Sequence, residues 1–233
     1  MLTLVGVAHV FDIAKQIEMV IKEKKPDIVC VELDRARYLA LKEQHLSKDV
    51  TLPYRLLALF QRRIASKYGV KVGSEMLAAL ETAATLNIPT EFIDMDGIQI
   101  FARLWMSMAL SERLRLVIGG FFGLFVRKKR LEEELEKFEK TYDQYMEIFG
   151  NAFPTVKKIL IDERNQHMAN MLQNLCSKYK KVLAVVGEGH VEGLKKLLYN
   201  LEPEIIKLSS LRKMGAATLK TTSEVSIGYT LNE

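Results

Sequence analysis

Leu2-Thr3-Leu4-Val5 running into Gly6-Val7-Ala8-His9, and Val182-Leu183-Ala184-Val185-Val186 running into Gly187-Glu188-Gly189-His190, decide how this chain is read. Each pairs a strand-like apolar run with a glycine that precedes a histidine by three positions. After each, from Val10 and from Val191, the sequence takes up a helical period. A strand that stops at glycine and hands over to a helix delivers the histidine to the carboxyl end of a sheet, the edge where open α/β folds bind ligands. Two histidines brought there from opposite ends of the chain predict one shared site.

Working outward, residues 10–24 put Val10, Ile13, Ala14, Ile17, Val20 and Ile21 on one helical face, and Pro26-Asp27 ends the pattern. Ile28-Val29-Cys30-Val31 reads as a second apolar strand closing in Glu32-Leu33-Asp34, so the first two strands form a βαβ unit with parallel strands. Chain direction then places Glu32 at the same edge as His9. A helix follows to about Gln44, then a basic helical stretch around Leu52–Lys67. Ser74-Glu75 opens a helix over Met76–Leu86, and Thr90-Glu91-Phe92-Ile93 is a third strand leading into Asp94-Met95-Asp96. Residues 98–149 carry no strand signal, and Phe153–Lys178 reads as a further helix with Pro154 in its first turn, where a missing N–H costs nothing. Strands near 182–186, 204–208 and 224–230 complete the pattern. The expected fold is α/β, a mostly parallel central sheet flanked by helices with a helical insert or cap around residues 98–178, all within one domain over 1–233.

Composition agrees with a chain able to bury a full core: 233 residues, 48% hydrophobic and 27% charged, with few prolines and glycines. A net charge of +5 is only mildly basic and gives no reason to expect nucleic acid. The two cysteines, Cys30 and Cys176, sit in apolar or helical contexts without metal-type spacing, which suits a reducing compartment. No signal peptide precedes the first motif, and the longest uncharged apolar run, Leu116–Val126, is too short for a bilayer, which needs about 20 helical residues. A cytoplasmic location is therefore expected. That run is flanked by Arg113, Arg115 and Arg127-Lys128-Lys129-Arg130, so segment 113–130 reads as a buried turn, a contact between copies in a homo-oligomer, or a peripheral dock on an anionic membrane.

Two imidazoles and a carboxylate at one edge suit a divalent transition metal. His9, His190 and Glu32 are the expected ligands, and a position is left for a water whose pKa the ion lowers. Gly6 and Gly187 are expected to use positive φ and, with Gly189, to let a metal or substrate approach the backbone. Asp94 and Asp96 would add outer oxygen atoms. Arg37, Arg103 and Arg164 are candidates to hold a substrate carboxylate or stabilise an oxyanion. Simpler roles compete: Glu32-Leu33-Asp34 and Glu75 also suit helix N-termini, Asp94 and Asp96 a loop, and Arg164 an exposed helix face. His45 and His167 have no motif around them and read as surface or helix-face residues.

These residues carry a resemblance. The GVAH opening, PDIVCVELDRARYLAL, GSEMLAALETAATLNIPTEFIDMD, DERNQHMA and VVGEGHVEGL together resemble the TraB/PrgY family, in order from residue 3 to about residue 208. That family is grouped with the Tiki proteases, erythromycin esterases and haem-binding ChaN proteins. The resemblance implies both histidines in one active site. For the Tiki relatives it implies metal-dependent peptide hydrolysis with manganese or cobalt, and for TraB and PrgY shutdown of a peptide pheromone signal at the membrane. Position by position it carries Gly6 and His9, Gly187 and His190, Glu32 with Arg37 behind it, Glu75 at the opening of the middle helix, Arg103 after the third strand, and Arg164. Two departures stand out. Members with membrane spans carry them after this domain, and residues 1–233 contain none; Met95 stands where an arginine is expected.

The leading expectation is a metal-dependent hydrolase acting on a peptide or ester bond, with manganese, cobalt or zinc as cofactor. Glu32 or Glu75 would be the general base, and Arg164 or Arg103 would stabilise the oxyanion. The rival expectations are a non-catalytic module that binds a hydrophobic peptide or pheromone, and a haem protein using His9 or His190 as axial ligand.

Overall fold

Strands β1 (Leu2–Val7), β2 (Ile28–Val31), β3 (Thr90–Phe92), β4 (Val182–Gly187) and β5 (Glu204–Ile206) make one sheet in the order β3-β2-β4-β1-β5, every neighbouring pair parallel. The computed structural model describes residues 1–8, 11–43, 73–123 and 141–215, with the side chains of 43 and 117–123 left out. His9, Val10, His45, the basic stretch around 52–67, the charged segment 127–140 and the strand expected near 224–230 lie outside the described residues.

The strands carry β-branched and aliphatic residues throughout because both faces of the sheet are covered, as parallel sheets require. Side chains alternate between two cores. Val5, Val7, Val29, Val31, Leu183 and Val185 face α1 (Ala14–Lys24) and α3 (Ser74–Thr85), with Leu208 and Leu211 of a short final helix, 208–215, closing that side. Leu2, Leu4, Ile28, Cys30, Val182, Ala184 and Val186 face the other way, against two helices that flank β4 in sequence. These are α8 (Glu163–Cys176), through Met168, Ala169 and Leu172, and α9 (Glu188–Leu197), through Val191 and Leu194.

The helical stretch expected over 98–178 therefore has two parts. Its last helix, α8, is a layer of the sheet. The earlier helices build a separate lobe around Ile100, Leu104, Met108, Val156 and Ile159. They are α4 (Gly97–Ser107), α5 (Leu110–Gly123), α6 (Tyr142–Ala152) and the four-residue α7 (Pro154–Lys157). The remaining helix, α2 (Arg35–Glu43), follows β2.

Three details differ from the sequence reading. The βαβ unit formed by β1, α1 and β2 has parallel strands, but β4 is inserted between them. Helix α1 starts at Ala14, not at residue 10, and α9 starts at Glu188, so His190 sits in a first helical turn. The helix expected over Phe153–Lys178 is broken: Pro154 does open it, but Lys158–Asp162 is a π-turn, and a regular helix resumes only at Glu163. The extra residue in a π-turn shifts the phase of everything after it. Here that shift immediately precedes Arg164. Among the described residues no helix is long and apolar enough to cross a membrane.

Candidate functional site

The insertion of β4 between β1 and β2 brings the second motif next to Glu32. Glu32 follows the last residue of β2, and its own N–H donates to Val185 O of β4 at 3.0 Å. Its carboxylate then turns across to the end of β4, where Gly187 N–H donates to Oε2 at 2.6 Å. Gly187 achieves this with φ of −59°, so the expected positive φ is not used; Gly73 alone among the described glycines has one. A Cβ here would stand 3.3 Å from Glu32 Oε2, a tight contact that the carboxylate would have to yield to by a few tenths of an ångström.

The other oxygen, Glu32 Oε1, accepts from Arg164 Nη2 and lies 3.4 Å from His190 Nε2. Arg164 also forks onto Asp94, with Nε donating to Oδ1 at 2.9 Å and Nη2 to Oδ2 at 2.6 Å, while its Nη1 donates to Leu160 O of the π-turn at 3.2 Å. Asp94 is shared, because Arg37 Nη2 donates to the same Oδ2. Arg37 is itself held by Asp34, Nε to Oδ2 at 2.5 Å and backbone N–H to Oδ1 at 2.8 Å, and Gly97 N–H donates to Asp34 Oδ2 at 2.9 Å. Asp34 thus does cap the helix after β2, as its simpler reading held, and links that cap to the site.

The side chains of Asp94, Glu32 and Arg164 are 0%, 11% and 13% exposed, so bulk water screens them little. Burial pushes Asp94 up, but the Arg164 and Arg37 guanidinium groups hold it well below the usual aspartate range. Burial likewise pushes Glu32 up, and Arg164 and the Gly187 N–H hold it below the usual glutamate range. Both guanidinium groups gain from the same partners what burial takes away, and their pKa values rise. His190 goes the other way: burial, outweighing the attraction of Glu32, lowers its pKa, and the ring is neutral.

Of the residues singled out in the sequence, the fold brings Glu32, Gly187, His190, Arg164, Asp94 and Arg37 into this network. It places others elsewhere. Asp96 caps α4, accepting from Ile98 N–H at 2.9 Å and Gln99 N–H at 3.0 Å. Arg103 pairs with Glu163, the neighbour of Arg164. Glu75 is fully buried in the first turn of α3. That turn faces the carboxyl edge, because α3 ends just before β3 begins at the opposite edge. A Cβ on Gly6 would stand 2.0 Å from Glu188 Oε2, whereas one on Gly189 would meet nothing within 4 Å. His9 lies outside the described residues.

Two residues of the site were not read from the sequence. Asn165 Oδ1 is 2.7 Å from His190 Nδ1. Glu188, 8% exposed, accepts from Leu208 N–H through Oε2 at 3.0 Å and so ties the second motif to the final helix. Asn165 directly follows Arg164 in the DERN stretch, and that adjacency was the available signal.

The architecture defines a class: a doubly covered parallel α/β sheet whose carboxyl edge holds a buried, charge-linked carboxylate–histidine pair. The comparisons name the family. The TraB/PrgY/gumN family model matches residues 1–209, and the chain belongs to that family. It is similar to an uncharacterized protein of Methanocaldococcus jannaschii, 31% identical over 231 residues, which takes in 90% of this chain and 58% of the relative. It is also similar to a TraB domain-containing protein of Bos taurus, 25% identical over 231 residues, with 82% of this chain and 61% of that protein covered. The chain thus spans about three-fifths of the length of these two curated relatives.

Proposed function

We propose that this domain is a metal-dependent hydrolase acting on a peptide or ester carbonyl at the carboxyl edge of the sheet. The observation that carries the reading is the Glu32–His190 pair. Asn165 Oδ1 accepts from His190 Nδ1, so the neutral ring presents a lone pair at Nε2, and 3.4 Å away Glu32 Oε1 presents another. Oε1 also accepts from Arg164 Nη2, but a carboxylate oxygen has a second lone pair, and two lone pairs facing each other at that separation repel unless a cation lies between them. Two donors on a tetrahedral zinc-type ion, each about 2.0–2.1 Å from it, stand about 3.3–3.4 Å apart. Among the described residues no three His, Cys, Asp or Glu side chains converge. In this reading the third ligand is His9, from the motif that the first strand carries to the same edge. Manganese, cobalt or zinc bound there would supply an activated water and polarise the carbonyl.

The network also sorts the carboxylates. Glu32, held ionised by Arg164 and the Gly187 N–H, suits a ligand better than a base, which needs a pKa near the working pH. Glu75 is then the general base. Three donor atoms of Arg164 are engaged by Glu32, Asp94 and Leu160 O, so its part is to hold Glu32 in place. Arg103, with a side chain 46% exposed, is the arginine free to reach a substrate oxyanion by leaving Glu163.

The test is elemental analysis of protein purified without chelator, beside His190→Ala and a His9→Ala, His190→Ala double variant. About one manganese, cobalt or zinc per chain, lost in both variants, supports the reading and justifies a screen of peptide and ester turnover. A metal-free wild type that takes up none of the three on titration refutes it.

A second reading, capture of a hydrophobic peptide without cleavage, draws on one feature of the helical lobe. Met106, Leu110, Leu114 and Ile148 are 75%, 81%, 60% and 61% exposed, apolar surface that a soluble helix ordinarily buries. Peptide binding that survives the His9→Ala, His190→Ala change would favour it.

A further inference from the structure

Arg164 and Asn165 are consecutive residues that serve the two halves of the same pair. Arg164 holds Glu32; Asn165, 4% exposed, holds His190. The π-turn just before them sets the phase that lets one short stretch of α8 reach both groups. Gly193 of α9 makes room on the far side, since a Cβ there would stand 2.2 Å from Asn165 Nδ2. The amide lies with its oxygen on His190 and its nitrogen toward Gly193.

An amide oxygen has no proton to give, so Nδ1 must donate, and a neutral imidazole has only one N–H. That placement runs against the ring's other neighbour. A carboxylate is a stronger acceptor than an amide carbonyl, so a ring facing Glu32 alone would put its proton on Nε2 and close on Oε1. The observed Nε2 to Oε1 separation of 3.4 Å lies beyond the range of about 2.7–3.2 Å for an N–H···O hydrogen bond, whereas Nδ1 to Asn165 is 2.7 Å. Arg164 and the Gly187 N–H meanwhile satisfy the Glu32 carboxylate without help from the histidine.

We infer that Asn165 is a positioning residue that locks His190 in the Nδ1–H tautomer and so keeps Nε2 open toward a divalent cation shared with Glu32. The tautomer lock stands on the geometry of Asn165, His190 and Glu32; the cation rests on the function proposed above. Gly193 belongs to the same device.

The experiment separates the two. Ring nitrogen NMR on the full chain with chelator present, at about pH 8 to keep the imidazole neutral, distinguishes the nitrogen bearing the proton from the bare one. Of the chain's four histidines, His190 is assigned by the signals lost in His190→Gln. Wild type is expected to show Nδ1–H and a bare Nε2. Asn165→Ala shifts the proton to Nε2, Asn165→Asp retains the acceptor and keeps it on Nδ1, and Gly193→Ala, which displaces the amide from the other side, copies Asn165→Ala. An Nε2–H ring in wild type, or an Nδ1–H ring that persists in Asn165→Ala, overturns the lock.

Zinc, manganese and cobalt titration of the same proteins then reads the consequence. Asn165→Ala should bind about 10- to 100-fold more weakly than wild type, the usual loss when a histidine ligand's orienting partner is removed, with Asn165→Asp restoring much of it. A wild type with the expected tautomer and no affinity for zinc, manganese or cobalt supports the lock and sinks the metal reading.

Discussion

Replacing Arg164 by glutamine tests the charge network most directly. The substitution keeps a polar but shorter side chain and removes the cation shared by Glu32 and Asp94, with side chains 11% and 0% exposed, leaving Asp94 with Arg37 alone. If these were surface pairs the loss would be about 0–1 kcal/mol. Buried as they are, breaking them should cost about 3–5 kcal/mol, because the stranded carboxylates keep their desolvation penalty and lose its compensation. For a chain of this size each kcal/mol moves Tm by about 2–4 °C, so the variant should melt about 6–20 °C lower. A second substitution identifies the cause. Counting Glu32, Asp34, Asp94, Arg37 and Arg164, the wild-type set carries one excess negative charge, Arg164→Gln carries two, and adding Asp94→Asn returns it to one. The double variant should therefore recover part of the loss, a coupling of about 0.5–3 kcal/mol between neighbours of this kind. Thermal and urea unfolding at pH 7 with chelator present measure both quantities. An Arg164→Gln cost below about 1 kcal/mol, or single-variant costs that simply add in the double, would refute the argument that this network is held by buried charge.

Other consequences follow from the same structure. Asp94 has a folded pKa below its unfolded value of about 3.9, so its ionised form stabilises the fold above that pH and the contribution disappears as pH falls beneath it. The Tm gap between wild type and Asp94→Asn should be full at pH 7 and shrink toward pH 3; a gap that widens on acidification contradicts the assignment. Gly6→Ala puts a Cβ 2.0 Å from Glu188 Oε2 and 3.0 Å from Val191 Cγ2, displacing the carboxylate that accepts from Leu208 N–H. Overpacking of about 1–3 kcal/mol and an unpaired buried donor of about 1–3 kcal/mol should both appear in urea unfolding, and the penalty should fall in a Glu188→Ala background. Glu112, 4% exposed, accepts from Thr155 N–H at 2.9 Å and Val156 N–H at 3.1 Å and so caps the helix that leads into the π-turn. Glu112→Ala should cost about 0.5–2 kcal/mol and speed amide exchange across 154–162, with the strand amides unaffected.

The part of the fold that could be read from sequence is the part encoded locally. An apolar run, a glycine and a change of period mark where β1 and β4 end, and chain direction alone puts Glu32 and His190 at the same edge. Strand order is not written locally. Nothing in Ile28–Val31 says that β4, some 150 residues later, will pair with it at Val29–Leu183 and separate it from β1, yet that insertion is what sets Glu32 beside Gly187. The π-turn is hidden for a different reason: Ile159 and Met168, nine residues apart, would fall on opposite faces of an unbroken helix, and only the packed structure shows that they serve two different cores. Arg164 was legible as a charge looking for a partner. Asn165 was not, because a neutral amide on a helix declares its role only when the group it touches is known.

Glu188 shows how much of the site's architecture depends on closeness rather than on type. Between two glycines of the second motif it occupies a position that carries no chemical signature, and the fold turns its carboxylate under Gly6 of the first motif and onto Leu208 N–H of the final helix. The strands that deliver the motifs are adjacent and in register, Gly6 opposite Val186 and Val7 opposite Gly187. A side chain leaving the end of one strand can therefore sit closest against the backbone of its neighbour where that backbone has no Cβ. The glycine of the first motif thus makes room for a residue of the second, and the glycine of the second makes room for Glu32. The glycine-bearing ends of β1 and β4 are thus packed through side chains from their neighbours, so the local structure at each depends on residues far away in the sequence.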